Sequence, residues 1–150
     1  MRIVIVNGPN LNWLGRRQPE LYGKLGLATI NDRIREYAKS RGIQVDFFQA
    51  NGEGEIIDIL QAQADSCQGM VLNPGAYGHY SLAVADALAA LSVPVIEVHL
   101  TNVFAREEIR HRHVTAGACT GYICGLGWQG YILAVQAILN QVEGEECKGE

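Results

Sequence analysis

The residues in this chain best suited to chemistry are Arg17, Tyr22, Asn73, His79 and His99. Tyr22 closes the stretch NGPNLNWLGRRQPELYG, which runs from Asn7 to Gly23 and holds Arg16 and Arg17. The segment is too long and too punctuated by Gly and Pro to be a plain turn. Segments of this kind are more often lids or binding loops than ordinary solvated surface. A free phenol ionises only near pH ~10, and a cation within a few ångströms favours the phenolate. Arg17 stands close enough before Tyr22 for the loop to fold the two together. Asn73 is followed by Pro74 and Gly75, so its amide would be held in place. Such an amide can position a water or steady an oxyanion. His99 ends the run Val95-Ile96-Glu97-Val98, and His79 lies in the loop NPGAYGHYS. A lone histidine is by default structural, but two at one sheet edge tip the balance toward proton transfer. Arg106 and Arg110 are four apart and would share one face of a short charged helix. They either pair with Glu107 on the surface or clamp a substrate carboxylate in a bidentate fork.

Other chemistries find little footing. The three lysines, Lys24, Lys39 and Lys148, lie outside the apolar runs, which disfavours a buried Schiff-base amine. The sequence contains no GxSxG elbow, no GxxxxGK[ST] phosphate loop and no HExxH pair. Gly125, Gly127 and Gly130 spell GxGxxG between a strand and a helix. No strand is expected after that helix, so close helix–strand packing explains them better than a dinucleotide does. A flavodoxin-like nucleotide- or flavin-binding module using GLGWQG is the alternative reading. His111 and His113 are two apart, which on a helix separates their faces, and both read as exposed or loop residues. Cys67, Cys119, Cys124 and Cys147 show no paired or metal-finger spacing. They read as reduced thiols, with Cys119 and Cys124 filling core.

The elements that must position these groups alternate. Met1 to Val6, Ile43 to Phe48, Gly69 to Leu72, Pro94 to Leu100 and Tyr122 to Leu126 read as strands. Leu27 to Arg41, Gly54 to Ser66, Ser81 to Leu91, Ala105 to Arg112 and Gln129 to Val142 read as helices. Ser81 should cap the third of these, and Gly42 should close the first. This alternation implies a three-layer α/β fold: a parallel five-stranded sheet, order 2-1-3-4-5 and flavodoxin-like, with helices on both faces. Ligands of such sheets bind beyond the carboxyl ends of the strands. The polar residues after the first four strands collect at that one edge.

The chain has 150 residues and a formal charge of -4. That length suits one domain, 1–150, with residues 143–150 as an acidic, frayed tail. The acidic balance argues against a nucleic-acid binder. No apolar run approaches the ~20 residues that span a bilayer. The chain opens on a strand rather than an apolar leader, so a cytoplasmic setting is expected.

Five blocks, NGPNLNWLGRRQPELYG, FFQANGEGEIID, NPGAYGHYS, EVHLTNVFAREEIRHR and GLGWQGY, together resemble the type II 3-dehydroquinate dehydratase (dehydroquinase) family from residue 2 to about residue 140. The resemblance implies a flavodoxin-like fold and dehydration of 3-dehydroquinate to 3-dehydroshikimate without a cofactor. It further implies a place in the shikimate pathway or quinate metabolism, and a homododecamer built as four trimers. By the same resemblance Tyr22 is the base, Arg17 its activator, Asn73 the amide behind the enolate, and His99 the acid. His79, Arg110, Leu100 and Thr101 would bind substrate, and Asp86 would reach a neighbouring subunit's site. Glu97 would orient His99, with Asn10 and Arg106 in support. Loss of water from a β-hydroxy ketone through an enolate needs a base, an oxyanion stabiliser and an acid, which these side chains supply. Gly78, Tyr80 and His113 depart from the family pattern, where small hydroxylated residues are common.

Overall fold

The computed structural model describes the backbone of residues 1–146 and the side chains of residues 1–144. Five parallel strands, β1 (Arg2–Asn7), β2 (Gln44–Gln49), β3 (Gly69–Asn73), β4 (Val95–His99) and β5 (Gly121–Cys124), form one sheet in the order β2-β1-β3-β4-β5. Its helices are α1 (Pro19–Tyr22), α2 (Leu27–Ser40), α3 (Glu53–Gln63), α4 (Leu82–Ala89) and α5 (Gln129–Glu146).

Strand periodicity of two builds the layers. In β1, Ile3 and Ile5 enter a core shared with Ile30 and Ile34 of α2 and Tyr131, Val135 and Ile138 of α5. Val4 and Val6 point the other way, into a core with Ile56 and Leu60 of α3 and Val84 and Leu88 of α4. Fully burying one such side chain is worth about 1.5–3 kcal/mol, so both faces of the central strands must be apolar. The same alternation puts Val95, Glu97 and His99 of β4 on one face, with Ile96 and Val98 on the other.

Ser81 caps α4 as its residue type demands: its Oγ accepts from the Val84 amide at 3.0 Å. Gly42 follows α2 at φ 70, a conformation that suits glycine. Gly125 and Gly127 also take positive φ, forming the turn into α5. A Cβ on Gly130 would stand 3.1 Å from Val98 Cγ1, so this glycine serves close packing of α5 on the sheet.

The structure corrects two expectations and adds detail to two more. Ala105 to Arg112 is not one helix but two 3-10 turns, Val103–Ala105 and Glu108–His111, separated at Arg106, which is extended. Residues 143–146, expected in a frayed tail, are helical because α5 continues through Glu146; residues 147–150, with Cys147, lie outside the described part. The long loop after β1 is partly ordered by a 3-10 turn at Leu11–Trp13 and by α1, with Leu11 and Leu14 buried as anchors. His113, read as an exposed or loop residue, does lie in a loop, where it is half-buried among rings. Among the described residues no helix is long and apolar enough to cross a membrane.

Candidate active site

Beyond the carboxyl ends of β1, β3 and β4 lies a cavity lined by Asn10, Arg17, Tyr22, Asn73, His79, His99, Leu100, Thr101, Arg106 and Arg110, with Pro9, Leu11, Gly75, Ala76 and Val103 filling its wall. Residues from three separate stretches meet here because β1, β3 and β4 end side by side, with Asn7 opposite Asn73. The loop after β1 then folds across that edge.

Tyr22 sits at the end of α1, four residues after Gln18, which turns the chain at φ 39. Its hydroxyl accepts a hydrogen bond from Arg106 Nη1 at 2.8 Å. The guanidinium carbons of Arg17 and Arg106 stand 5.1 and 5.3 Å from the phenol ring centre. Arg106, expected only in support, therefore makes the direct contact, while Arg17 approaches the ring. The extended backbone at Arg106, not a shared helix face with Arg110, aims it there. Arg110 both lines the cavity and donates to Glu107 Oε2 at 2.8 Å, so the surface pair and the cavity role coexist.

Asn73 is 3% exposed and fixed at both ends of its amide. Gly75 N–H donates to its Oδ1 at 3.2 Å, and its Nδ2 donates to the Tyr131 hydroxyl at 2.9 Å. Tyr131 in turn donates to Asn7 Oδ1 at 2.6 Å. Burial pushes the Tyr131 phenol well above its ordinary range, so it stays a hydroxyl able to donate and accept at once. Neither Tyr131 nor its link to Asn7 was foreseen.

His99 Nε2 donates to Glu97 Oε1 at 2.7 Å, which leaves Nδ1 as the nitrogen without that bond. Glu97 is fully buried, and its second oxygen accepts from Thr115 Oγ1 at 2.7 Å. Thr115, Glu97 and His99 thus form a chain that fixes the ring. Cys119 Sγ lies 3.8 Å from the same oxygen, and burial with the nearby carboxyl pushes its thiol up to about 12, so it is not a nucleophile. His79 donates through Nδ1 to the Arg112 carbonyl at 2.9 Å. Burial, with the charges of His99 and Arg110, holds the His79 imidazole below its ordinary value.

Asp86 lies apart. It is exposed on α4 and does not line this cavity.

An α/β sheet with a phenol, an amide and an imidazole converging at its carboxyl edge has groups suited to acid–base chemistry. A model of the family Dehydroquinase class II matches residues 1–139, and the chain belongs to that family. It is 51% identical over 141 residues to a 3-dehydroquinate dehydratase of Lachnoclostridium phytofermentans, covering 93% of this chain and 97% of that one. It is 46% identical over 149 residues to the enzyme of that name from Carboxydothermus hydrogenoformans, covering 99% and 97%. The crystal structure of a type II dehydroquinase from Butyrivibrio crossotus superposes with a TM-score of 0.90 at 47% identity, covering 92% of this chain and 97% of that one.

Proposed function

We propose that this chain is a 3-dehydroquinate dehydratase that eliminates water in the anti sense, through an enolate and without a cofactor. Tyr22, as phenolate, takes the proton alpha to the ketone. The C–H electron pair moves into an enolate whose oxygen is met by a water held on Asn73. The enolate then re-forms the ketone and expels the β-hydroxyl, to which His99 delivers a proton. One water leaves and the enone remains. The two guanidiniums beside Tyr22 favour its anionic form, and closure of the loop after β1 excludes solvent. Leu100, Thr101, His79 and Arg110 bind the substrate's carboxylate and hydroxyls, and Asn10 supports the loop.

The observation that carries this reading is the placement of Tyr22, Asn73 and His99 around one cavity, with Arg106 on the Tyr22 hydroxyl at 2.8 Å. By the same reading the chain is one catalytic domain that works in the cytoplasm as a dodecamer of four trimers. The decisive assay adds 3-dehydroquinate to the purified protein in the presence of a chelator and follows the growth of enone absorbance. Tyr22→Phe and Arg17→Ala should each abolish turnover while circular dichroism stays unchanged. Near-normal kcat in either variant would refute the assigned roles.

A further inference from the structure

Beside His99 a second set of ligating atoms gathers, and His113 among them does not line the substrate cavity. One donor atom from each of Glu97, His99 and His113 lies within 4.8 Å of the others. Glu97 is fully buried and His99 is 6% exposed. The His113 ring centre stands 5.6 Å from that of His99 and 5.0 Å from that of Tyr122. His113 Nδ1 is buried and has no hydrogen-bond partner among the described residues, and its Nε2 has only a 3.5 Å approach to the Tyr122 hydroxyl. Buried polar atoms are nearly always paired, so an exception marks a place for a missing water or ion.

We propose that Glu97, His99 and His113 form a binding site for a divalent transition ion of the zinc class. Two imidazoles and a carboxylate suit zinc, nickel or copper, whereas magnesium and calcium prefer all-oxygen sets. Thr115 Oγ1 holds Glu97 Oε2 at 2.7 Å, leaving Oε1 turned toward the imidazoles. Such outer hydrogen bonds orient metal-bound carboxylates. Ligand atoms about 2 Å from zinc sit on the order of 3–4 Å apart, so His113 has to close slightly while His99 Nε2 and Glu97 Oε1, now at 2.7 Å, part slightly. Three protein ligands leave a fourth position for water.

The ion is not part of the dehydration. It replaces the proton shared between His99 Nε2 and Glu97, and so withdraws the support that holds the ring. Binding of the ion is therefore inhibitory. His113 does not line the substrate cavity, so removing its ring takes a ligand from the ion site while the groups that face substrate keep their own hydrogen bonds.

The test is titration of chelator-stripped protein with Co²⁺, read by its visible absorbance, and with Zn²⁺, read by calorimetry. One ion per chain with micromolar affinity is the expected result. His113→Ser should weaken binding at least tenfold, and His113→Asn should do the same in a chain of nearly unchanged packing. His111→Ala, at an exposed imidazole, should leave binding intact. Absence of binding below millimolar ion, or equal binding by wild type and both His113 variants, would overturn the proposal. The inhibitory effect rests on the dehydratase reading and is read separately: Zn²⁺ should slow enone formation by wild type and not by His113→Ser. Equal slowing of both would overturn it, while the cobalt titration reports on the site without any turnover.

Discussion

Tyr22 is held between guanidiniums from opposite halves of the chain, and the two are not equivalent. Arg106 makes the hydrogen bond to the hydroxyl, whereas Arg17 lies over the ring. A hydrogen bond to a charged group is worth about 1.5–3 kcal/mol, or about 10- to 150-fold in rate if it is made to the phenolate. Arg106→Ala should therefore lower kcat by at least ~10-fold in the enone assay, and Arg106→Lys should recover only part, because an ammonium lacks the planar fork. Unchanged kcat in Arg106→Ala would make the 2.8 Å contact incidental. Arg106 was hard to weigh from sequence because its aim depends on a break between two short turns. The placement of Asn73 and His99 at the cavity was legible because polar types that end apolar strands have few other reasons to be there, and that of Tyr22 and His79 because each sits in a Gly- and Pro-punctuated loop at the same edge. Tyr131 and Thr115 were not. A tyrosine in the apolar stripe of α5 reads as core, and a threonine in a loop reads as surface, until the fold brings them under Asn73 and Glu97. His113 was legible as a loop residue, but not its half-burial among the rings of His79, His99 and Tyr122, which only the fold brings together.

Among the elements, the strands were legible in type and order because β1 and β3 are apolar on both faces, the mark of a buried parallel sheet. Boundaries shifted by a residue or two, as frayed ends do. The conversion of a charged helix into two 3-10 turns could not be read from spacing, which does not reveal the extended backbone at Arg106 that separates them. The tightest junction is between the loop after β1 and the loop after β3. Gly8 N–H donates to the Asn73 carbonyl at 2.7 Å, and a Cβ on Gly8 would stand 2.7 Å from the Pro74 carbonyl oxygen. Backbone on both sides cannot yield cheaply. Gly8→Ala should cost about 1–3 kcal/mol by overpacking, lowering Tm by roughly 2–12 °C in a domain of this size. It should also lower kcat, because the strain falls on the segment that fixes Asn73. Calorimetry would read the first effect, and an unchanged Tm would show that the two loops can part freely.

At the scale of the whole molecule, the crowd of imidazoles makes stability sensitive to acid. Burial holds both His79 and His113 below their ordinary value. Around His79 stand His99, Arg110 and Glu97, and around His113 stand His99, His79, His111 and Glu97. Below pH ~6.5 the unfolded chain takes up protons that the native chain refuses, so stability must fall as pH drops through that window. The midpoint of urea unfolding, measured with a chelator present, should decline from pH ~7.5 to ~5.5. The decline should be shallower in His113→Ser.

The surface makes a second demand. On α4 the outward residues Leu82, Ala83, Asp86, Ala89 and Ala90 are exposed, and Tyr80 just before the helix is 63% exposed. An outward helix face that is apolar but for one acid suits the proposed oligomer. Asp86 lies at its middle and outside its own chain's cavity, which fits the proposal that it completes the site of a neighbour. That proposal has a consequence that a single chain cannot mimic. Tyr22→Phe and Asp86→Ala would each yield assemblies with little activity. Co-refolded in equal amounts, they would form hybrid assemblies in which some sites combine an intact Tyr22 with an intact Asp86 from the adjoining chain. Enone formation should then rise well above that of either parent and grow with the extent of mixing. If the mixture only averages its parents although sedimentation shows hybrid assemblies, Asp86 acts within its own chain or not at all.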